Sequence, residues 1–171
     1  MIEKWGNALE DRLLIINADD FGLTKGTNDA IIHLFEQGAI TSASIMMPCS
    51  AAREAAMYSV RKGYSHIRIH LTLTSQNTNP LKPVFQESAM KSLTTQEGCF
   101  HHEASYLEQN ADPEEVSIEL DAQIQKAISL GIDPTHLDSH AGSIMGISGG
   151  RDFLELTLIC AKNIGSRLTC H

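Results

Sequence analysis

The chain has no C-x-x-C pair: Cys49, Cys99, Cys160 and Cys170 are widely scattered over 171 residues. Paired-thiol motifs are thereby excluded, and the four cysteines read as reduced thiols of a cytoplasmic protein. There is no apolar run near the roughly 18 residues that a bilayer span requires. The opening residues Met1-Ile2-Glu3-Lys4-Trp5-Gly6 lack the basic-then-apolar pattern of a secretory leader, so no membrane partner is expected. Basic residues are also short: 13 Lys and Arg against 21 Asp and Glu leave a net charge of -8. That excludes nucleic acid as the main partner, because phosphate binding needs a basic surface. Neither an internal repeat nor a Gly-rich phosphate loop is present. What remains, at 42% hydrophobic and 20% charged residues, is an ordinary soluble domain large enough to bury a core. Its acidity is compatible with a neutral sugar, a peptide or a cation.

The most informative stretch is Asn17-Ala18-Asp19-Asp20-Phe21-Gly22, directly after Leu13-Leu14-Ile15-Ile16. Adjacent carboxylates repel unless a metal ion, a proton or a cation lies between them. Two later segments, Arg68-Ile69-His70-Leu71-Thr72 and Thr135-His136-Leu137-Asp138-Ser139-His140, supply imidazoles that could complete a metal site.

Apolar periodicity orders the chain as β-α-β-α-β, a long insertion, then α-β-α. Strands are predicted over 13–17, 40–47, 66–74 and around 135–139. Helices are predicted over 24–38, from a Ser50 cap to Lys62, over 112–131 and over 153–163, with Gly165 beyond the last. The third helix has the clearest start, with Asp112 as cap and Pro113 at the first position. In the third strand Ile67, Ile69, Leu71 and Leu73 alternate with Arg68, His70, Thr72 and Thr74. Alternating strands and helices imply a parallel sheet with its site at the carboxyl ends of the strands, where Asp19-Asp20, His70 and His140 all fall. A barrel would use this geometry, with polar residues toward the axis. Residues 75–111 are read as a lid or a disordered connection, with His101 and His102 solvated in it. Arg167-Leu168-Thr169 begins another strand. The expectation is one barrel-like domain over 1–171, shortened at its C-terminus. Its open strand edges predict homo-oligomers.

Three ordered motifs carry a resemblance: Leu14-Ile-Ile-Asn-Ala-Asp-Asp-Phe-Gly-Leu23, His70-Leu-Thr-Leu-Thr74 and Pro134-Thr-His-Leu-Asp-Ser-His140. Together they resemble the YdjC-like carbohydrate deacetylases, a group that includes the chitooligosaccharide deacetylases. The resemblance implies an incomplete or distorted (β/α) barrel and a divalent metal ion, magnesium or zinc. It implies Asp20, His70 and His140 as metal ligands and Asp19 as the general base. The implied reaction hydrolyses an N-acetyl group from an amino sugar in a small carbohydrate. Arg68 stands where relatives often have glycine, which predicts a narrower or charged floor to the site. After His140 the sequence reads Ala-Gly-Ser-Ile-Met-Gly in place of further histidines, which points to a subgroup with another substrate.

The residues suit that chemistry. One carboxylate and two imidazoles leave coordination positions open for water and an acyl oxygen, and a second carboxylate can take a proton. On ligand softness the set favours zinc. Asp138 lies two residues from both His136 and His140, shares their strand face and could orient a ligand imidazole through a hydrogen bond. The plainer readings are a helix-capping role for Asp19 and Asp20, a satisfied strand histidine at His70, a structural His136, and strand-forming Thr72 and Thr74. Two other functions use the same residues: a metal-dependent hydrolase or isomerase of another small molecule, and an inactive carbohydrate-binding relative.

Overall fold

The structure, a computed structural model, describes residues 12–163. Four strands, β1 (Asn17–Phe21), β2 (Ser42–Ile45), β3 (Ile67–Leu71) and β4 (Leu137–Ser139), form one all-parallel sheet in the order β1-β2-β3-β4. Helices α1 (Lys25–Glu36) and α2 (Ala52–Lys62) fill the first two crossovers. The third carries α3 (Ala104–Asn110) and α4 (Pro113–Ser129), and α5 (Leu154–Asn163) follows β4. The order never reverses, so there is no switch point of the doubly wound kind. Sequential winding of parallel strands is that of a (β/α) barrel wall, and the expected α/β class holds. The strand expected at Arg167-Leu168-Thr169 and the stop at Gly165 lie outside the described residues, as does Cys170. Among the described residues no helix is long and apolar enough to cross a membrane.

Local chemistry sets the helix ends. Thr24 Oγ1 accepts the Thr27 N–H at 3.1 Å to cap α1, and Asp112 accepts that of Glu114 at 2.8 Å to cap α4, with Pro113 next. The start of α2 departs from expectation: Ala51, not Ser50, occupies the cap position. The chain arrives there through a tight turn in which the Cys49 carbonyl accepts the Ala52 N–H, so a hydroxyl is not needed.

The first strand is also displaced. Leu13, Leu14, Ile15 and Ile16 are exposed by 42 to 75%, and pairing begins only at Asn17. The reason is Thr41. Its hydroxyl accepts the Ile16 N–H at 2.9 Å and donates to the Ile16 carbonyl at 3.0 Å, closing the ladder at that residue. The carboxylates therefore sit within the strand and at its end rather than after it. β3 is buried on both faces. Its apolar row joins a core that includes Phe21, Ile45, Leu120 and Ile124, while Arg68 and His70 share the other face.

Residues 75–111 are not a disordered connection. Leu81, Met90, Leu93, Phe100 and Leu107 are buried in the main core. Carboxylates of α4 hold this segment by its backbone. Glu115 accepts the Ser92 N–H at 2.8 Å. The fully buried Glu119 accepts those of Val84 and Phe85 at 2.9 and 3.0 Å and a Gln123 amide hydrogen at 2.8 Å. Burial pushes the Glu119 carboxyl above the ordinary carboxylate value, against the pull of these donors. The histidine pair is correspondingly tied in. His101 stacks on Tyr106 with ring centroids 3.8 Å apart, and the exposed His102 donates from Nδ1 to the Ser75 carbonyl at 2.9 Å.

Glu119→Ala would strand three donors at once. It is expected to lower unfolding free energy by about 2–4 kcal/mol, since each unsatisfied polar group costs about 1–3 kcal/mol. Urea denaturation measures this; a loss below about 0.5 kcal/mol, the range of an inert surface change, would refute the anchoring role.

Candidate metal centre

A single irregularity aims the two acids. In the β1–β2 ladder Ala18 pairs with Ala43 and Phe21 with Ile45, so β1 inserts one extra residue between these points. The bulge contains Asp19 and Asp20, and Asp20 adopts a left-handed backbone with φ 63°. Ordinary alternation would send adjacent side chains to opposite faces. A bulge breaks that alternation and re-aims a side chain. The left-handed geometry costs a non-glycine residue roughly 1–2 kcal/mol, so the surroundings must enforce it. They do so through Gly22, whose N–H donates to the buried Asn28 at 2.8 Å. Asn28 in turn donates to the Ala51 carbonyl at 3.1 Å. A Cβ on Gly22 would lie 2.8 Å from the Ala52 Cα, and its φ is +93°; only glycine fits.

The bulge brings Asp20 to the two histidines. Its Oδ1 lies 3.2 Å from His140 Nδ1 and 3.6 Å from His70 Nε2. The two rings meet edge to face at 5.2 Å. Ligand atoms of Asp20, His70 and His140 all lie within 4.8 Å of one another, and those of Asp19, His70 and Asp138 form a second such group. His140 enters from a short 3-10 turn, His140–Gly142, directly after β4, and the next residue, Ala141, is left-handed at φ 50°. Both acid and imidazole are thus presented where regular strand gives way. The three residues expected to meet do meet, and their donors suit a divalent cation.

Asp138 orients a ligand imidazole from the neighbouring strand. Its Oδ1 accepts from His70 Nδ1 at 2.6 Å, because His70 and Asp138 are register partners. That bond leaves His70 Nε2 facing Asp20. The other oxygen, Oδ2, accepts from Ser44 Oγ at 2.5 Å. Ser44 lies on β2, which does not pair with β4. Across a flat sheet two strand spacings amount to about 9.5 Å, so this contact requires a concave inner face, as in a barrel whose alternate strands share a layer. Asn17 extends the line: it donates to Ser44 Oγ at 2.8 Å and Asp19 Oδ1 at 2.6 Å and accepts from Ser42 Oγ at 2.6 Å. Asn17, Ser42 and Ser44 escaped sequence reasoning. Their common signal was a polar residue at every second position of strands flanked by apolar ones.

Electrostatics follow the geometry. The His140 hydrogen bond holds the Asp20 carboxyl below its usual value, against burial. Burial pulls the His70 imidazole down, but the hydrogen bond and charge of Asp138, with the charges of Asp19 and Asp20, outweigh it and leave a net rise. The Cys49 thiol is pushed up to about 12 by burial and the nearby Asp20 charge, and it lies outside both ligand groups. His136 lies outside both ligand groups, as the structural reading required; its carbonyl accepts the Ile69 N–H. Thr72 is tied back to the strand, donating to the His70 carbonyl at 2.7 Å. Arg68 is buried on the His70 face, one alternation nearer the strand start.

Because the folded-state value of His70 is raised, the protonated ring stabilises the fold. That contribution is full below the unfolded value of about 6.5 and is lost as pH rises through the folded value. NMR titration of the metal-free protein should give His70 a midpoint above about 6.5, and Asp138→Asn should lower it. An unchanged midpoint in the variant would show that Asp138 does not govern the ring.

Residues 13–168 match the family of YdjC-like proteins. The chain is 36% identical over 129 residues to a carbohydrate deacetylase of Thermoanaerobacter pseudethanolicus, covering 75% of this chain and 50% of that one. It is 38% identical over 135 residues to a chitooligosaccharide deacetylase of Yersinia enterocolitica, covering 76% and 49%. A solved Enterococcus faecalis structure, described as a proposed cellobiose-phosphate cleavage protein, superposes with a TM-score of 0.76 at 33% identity. That superposition covers 90% of this chain and 57% of the other. The chain thus spans about half the length of the curated relatives it matches. The match over residues 13–168, which include the bulged acid pair and both facing histidines, makes the chain a member of the YdjC-like family.

Proposed function

We propose that the protein is a metal-dependent hydrolase that removes acetyl groups from N-acetylated amino sugars or short oligosaccharides. The observation that carries this reading is the convergence of Asp20, His70 and His140 with a second acid, Asp19, beside them. The names of its relatives, carbohydrate and chitooligosaccharide deacetylases, support the substrate class.

In this reading Asp20, His70 and His140 hold one divalent ion, and two nitrogens with one oxygen favour zinc over magnesium. When bound, the ion lowers the pKa of a water and withdraws charge from the acetyl carbonyl. The chain's own groups do the rest. Asp138 keeps the Nδ1 proton of His70 away from the cation side. Asp19 is exposed, with one carboxylate oxygen fixed by the Asn17 amide. Its other oxygen takes the proton of the attacking water. The amide C–N bond then breaks as its nitrogen takes up a proton, giving acetate and the free amine. Cys49, Cys99 and Cys160 are free thiols, which supports a cytoplasmic setting.

The test is acetate release from N-acetylated oligosaccharides by protein loaded with zinc, magnesium, manganese or cobalt. Asp19→Asn should lower turnover by about 10²–10⁴-fold, the usual contribution of a general base, with metal content retained. His140→Ala should lose the metal as well. Failure of every such substrate with every ion, or phosphate rather than acetate released from a sugar phosphate, would overturn the deacetylase reading.

A further inference from the structure

We propose that Asn17 is a positioning residue that couples the base Asp19 to the ligand His70. It does so by holding, through Ser44, the Asp138 carboxylate that accepts from His70 Nδ1. The Asp19 half of this inference rests on the deacetylase reading; the His70 half rests on geometry alone.

The argument is one of direction. Asp19 Oδ1 can only accept, so the Asn17 atom 2.6 Å from it must be the amide nitrogen. That places the Asn17 oxygen toward Ser42, whose hydroxyl donates to it at 2.6 Å. The second amide hydrogen then points at Ser44 Oγ, 2.8 Å away. Having accepted there, the Ser44 hydroxyl spends its single hydrogen on Asp138 Oδ2. Asp138 Oδ1 is an acceptor, so His70 Nδ1 must carry a proton, and Nε2 is left with its lone pair toward Asp20 and His140. Every member of this string has its donors and acceptors assigned once the Asn17 amide is oriented. A satisfied network of this kind rigidifies its members. The string visits all four strands, so the amide at the start of β1 bears on the seating of a ring on β3.

Asn17 is more than a filler of the strand face, because both of its amide hydrogens are committed to the site. Losing them frees the Ser44 hydroxyl to rotate and leaves Asp19 without its anchor. Ser44→Ala cuts only the branch toward His70, while Asn17→Ala cuts both.

Zinc titration against a chelator reads affinity, and turnover at saturating zinc reads the base. Asn17→Ala and Ser44→Ala should both lose zinc affinity by about 10–100-fold, the range for removing a group that supports a ligand. At saturating zinc, Asn17→Ala should in addition lower kcat on an N-acetylated oligosaccharide with KM held. If Asn17→Ala does not fold, Asn17→Leu keeps the size without the two donors, and the same readouts apply. A variant that retains full zinc affinity would overturn the proposal. Should the unsubstituted protein release no acetate, the deacetylase reading fails, while zinc affinity still decides the role of Asn17.

Discussion

Asp138 is a carboxylate set between an imidazole and a hydroxyl, and both contacts come from other strands. A carboxylate largely shielded from water is tolerated only when its lone pairs are taken. Taking them requires Ser44 from β2 to reach across β3, and that reach exists only if the sheet is curved. The ion-binding geometry and the curvature of the wall are therefore one constraint. If the wall flattened, Ser44 would withdraw, Asp138 would lose a donor, and His70 would lose the partner that fixes its ring. Three carboxylates, Asp19, Asp20 and Asp138, surround His70 in the two overlapping ligand groups. Two imidazoles cannot neutralise them while neutral, which is the electrostatic case for a cation.

The second constraint is local. The extra residue in β1 and the left-handed Asp20 are strained features that persist because neighbours over-determine them. Gly22 lies against the α2 start, and Asn28 ties the Gly22 amide to the Ala51 carbonyl. The α1 helix thus works through one buried asparagine to hold the acid that the rest of the site needs. Ala141 beside His140 repeats the pattern at the opposite wall.

Much of this was legible in the sequence, for identifiable reasons. The alternation of Ile67 to Leu73 with Arg68 to Thr74 is a period-2 signal that places His70 on the polar face. The Asp112-Pro113 start of α4 is local chemistry, and local chemistry survives folding. The ordered motifs named the family and the residues that the fold brings together. The misplaced elements depended on distant partners. Leu13 to Ile16 has the composition of a strand, yet a Thr41 hydroxyl ends the ladder there. Which imidazole Asp138 orients is likewise set at a distance, by the parallel register that hands it His70. No periodicity encodes register between strands separated by 68 residues of chain. Asn17 and Ser44 carry no chemistry that draws notice until the sheet aligns them.

The insertion between β3 and α4 shows why a polar stretch need not be a loop in the functional sense. Its polar side chains conceal a sparse set of apolar residues that reach the main core. Acids on α3 and α4, of which Glu108 and Glu119 are buried, secure backbone within it and beyond β4. Glu119 holds 84–85 and Glu115 holds Ser92. Glu108 holds the segment after His140, accepting the Ser148 and Gly150 N–H groups at 3.0 and 2.8 Å. Gly150 must be glycine for this approach, since a Cβ there would meet that of Glu108 at 2.5 Å. The same helical pair also reaches the end of β3, where Gln123 pairs with both the N–H and the carbonyl of Thr72, at 3.0 and 2.7 Å. The strand that delivers His70 and the turn that delivers His140 are consequently referenced to one rigid body. A centre whose ligands come from three separate strand ends needs such a common frame, because its ligand atoms must hold position to within a fraction of an ångström.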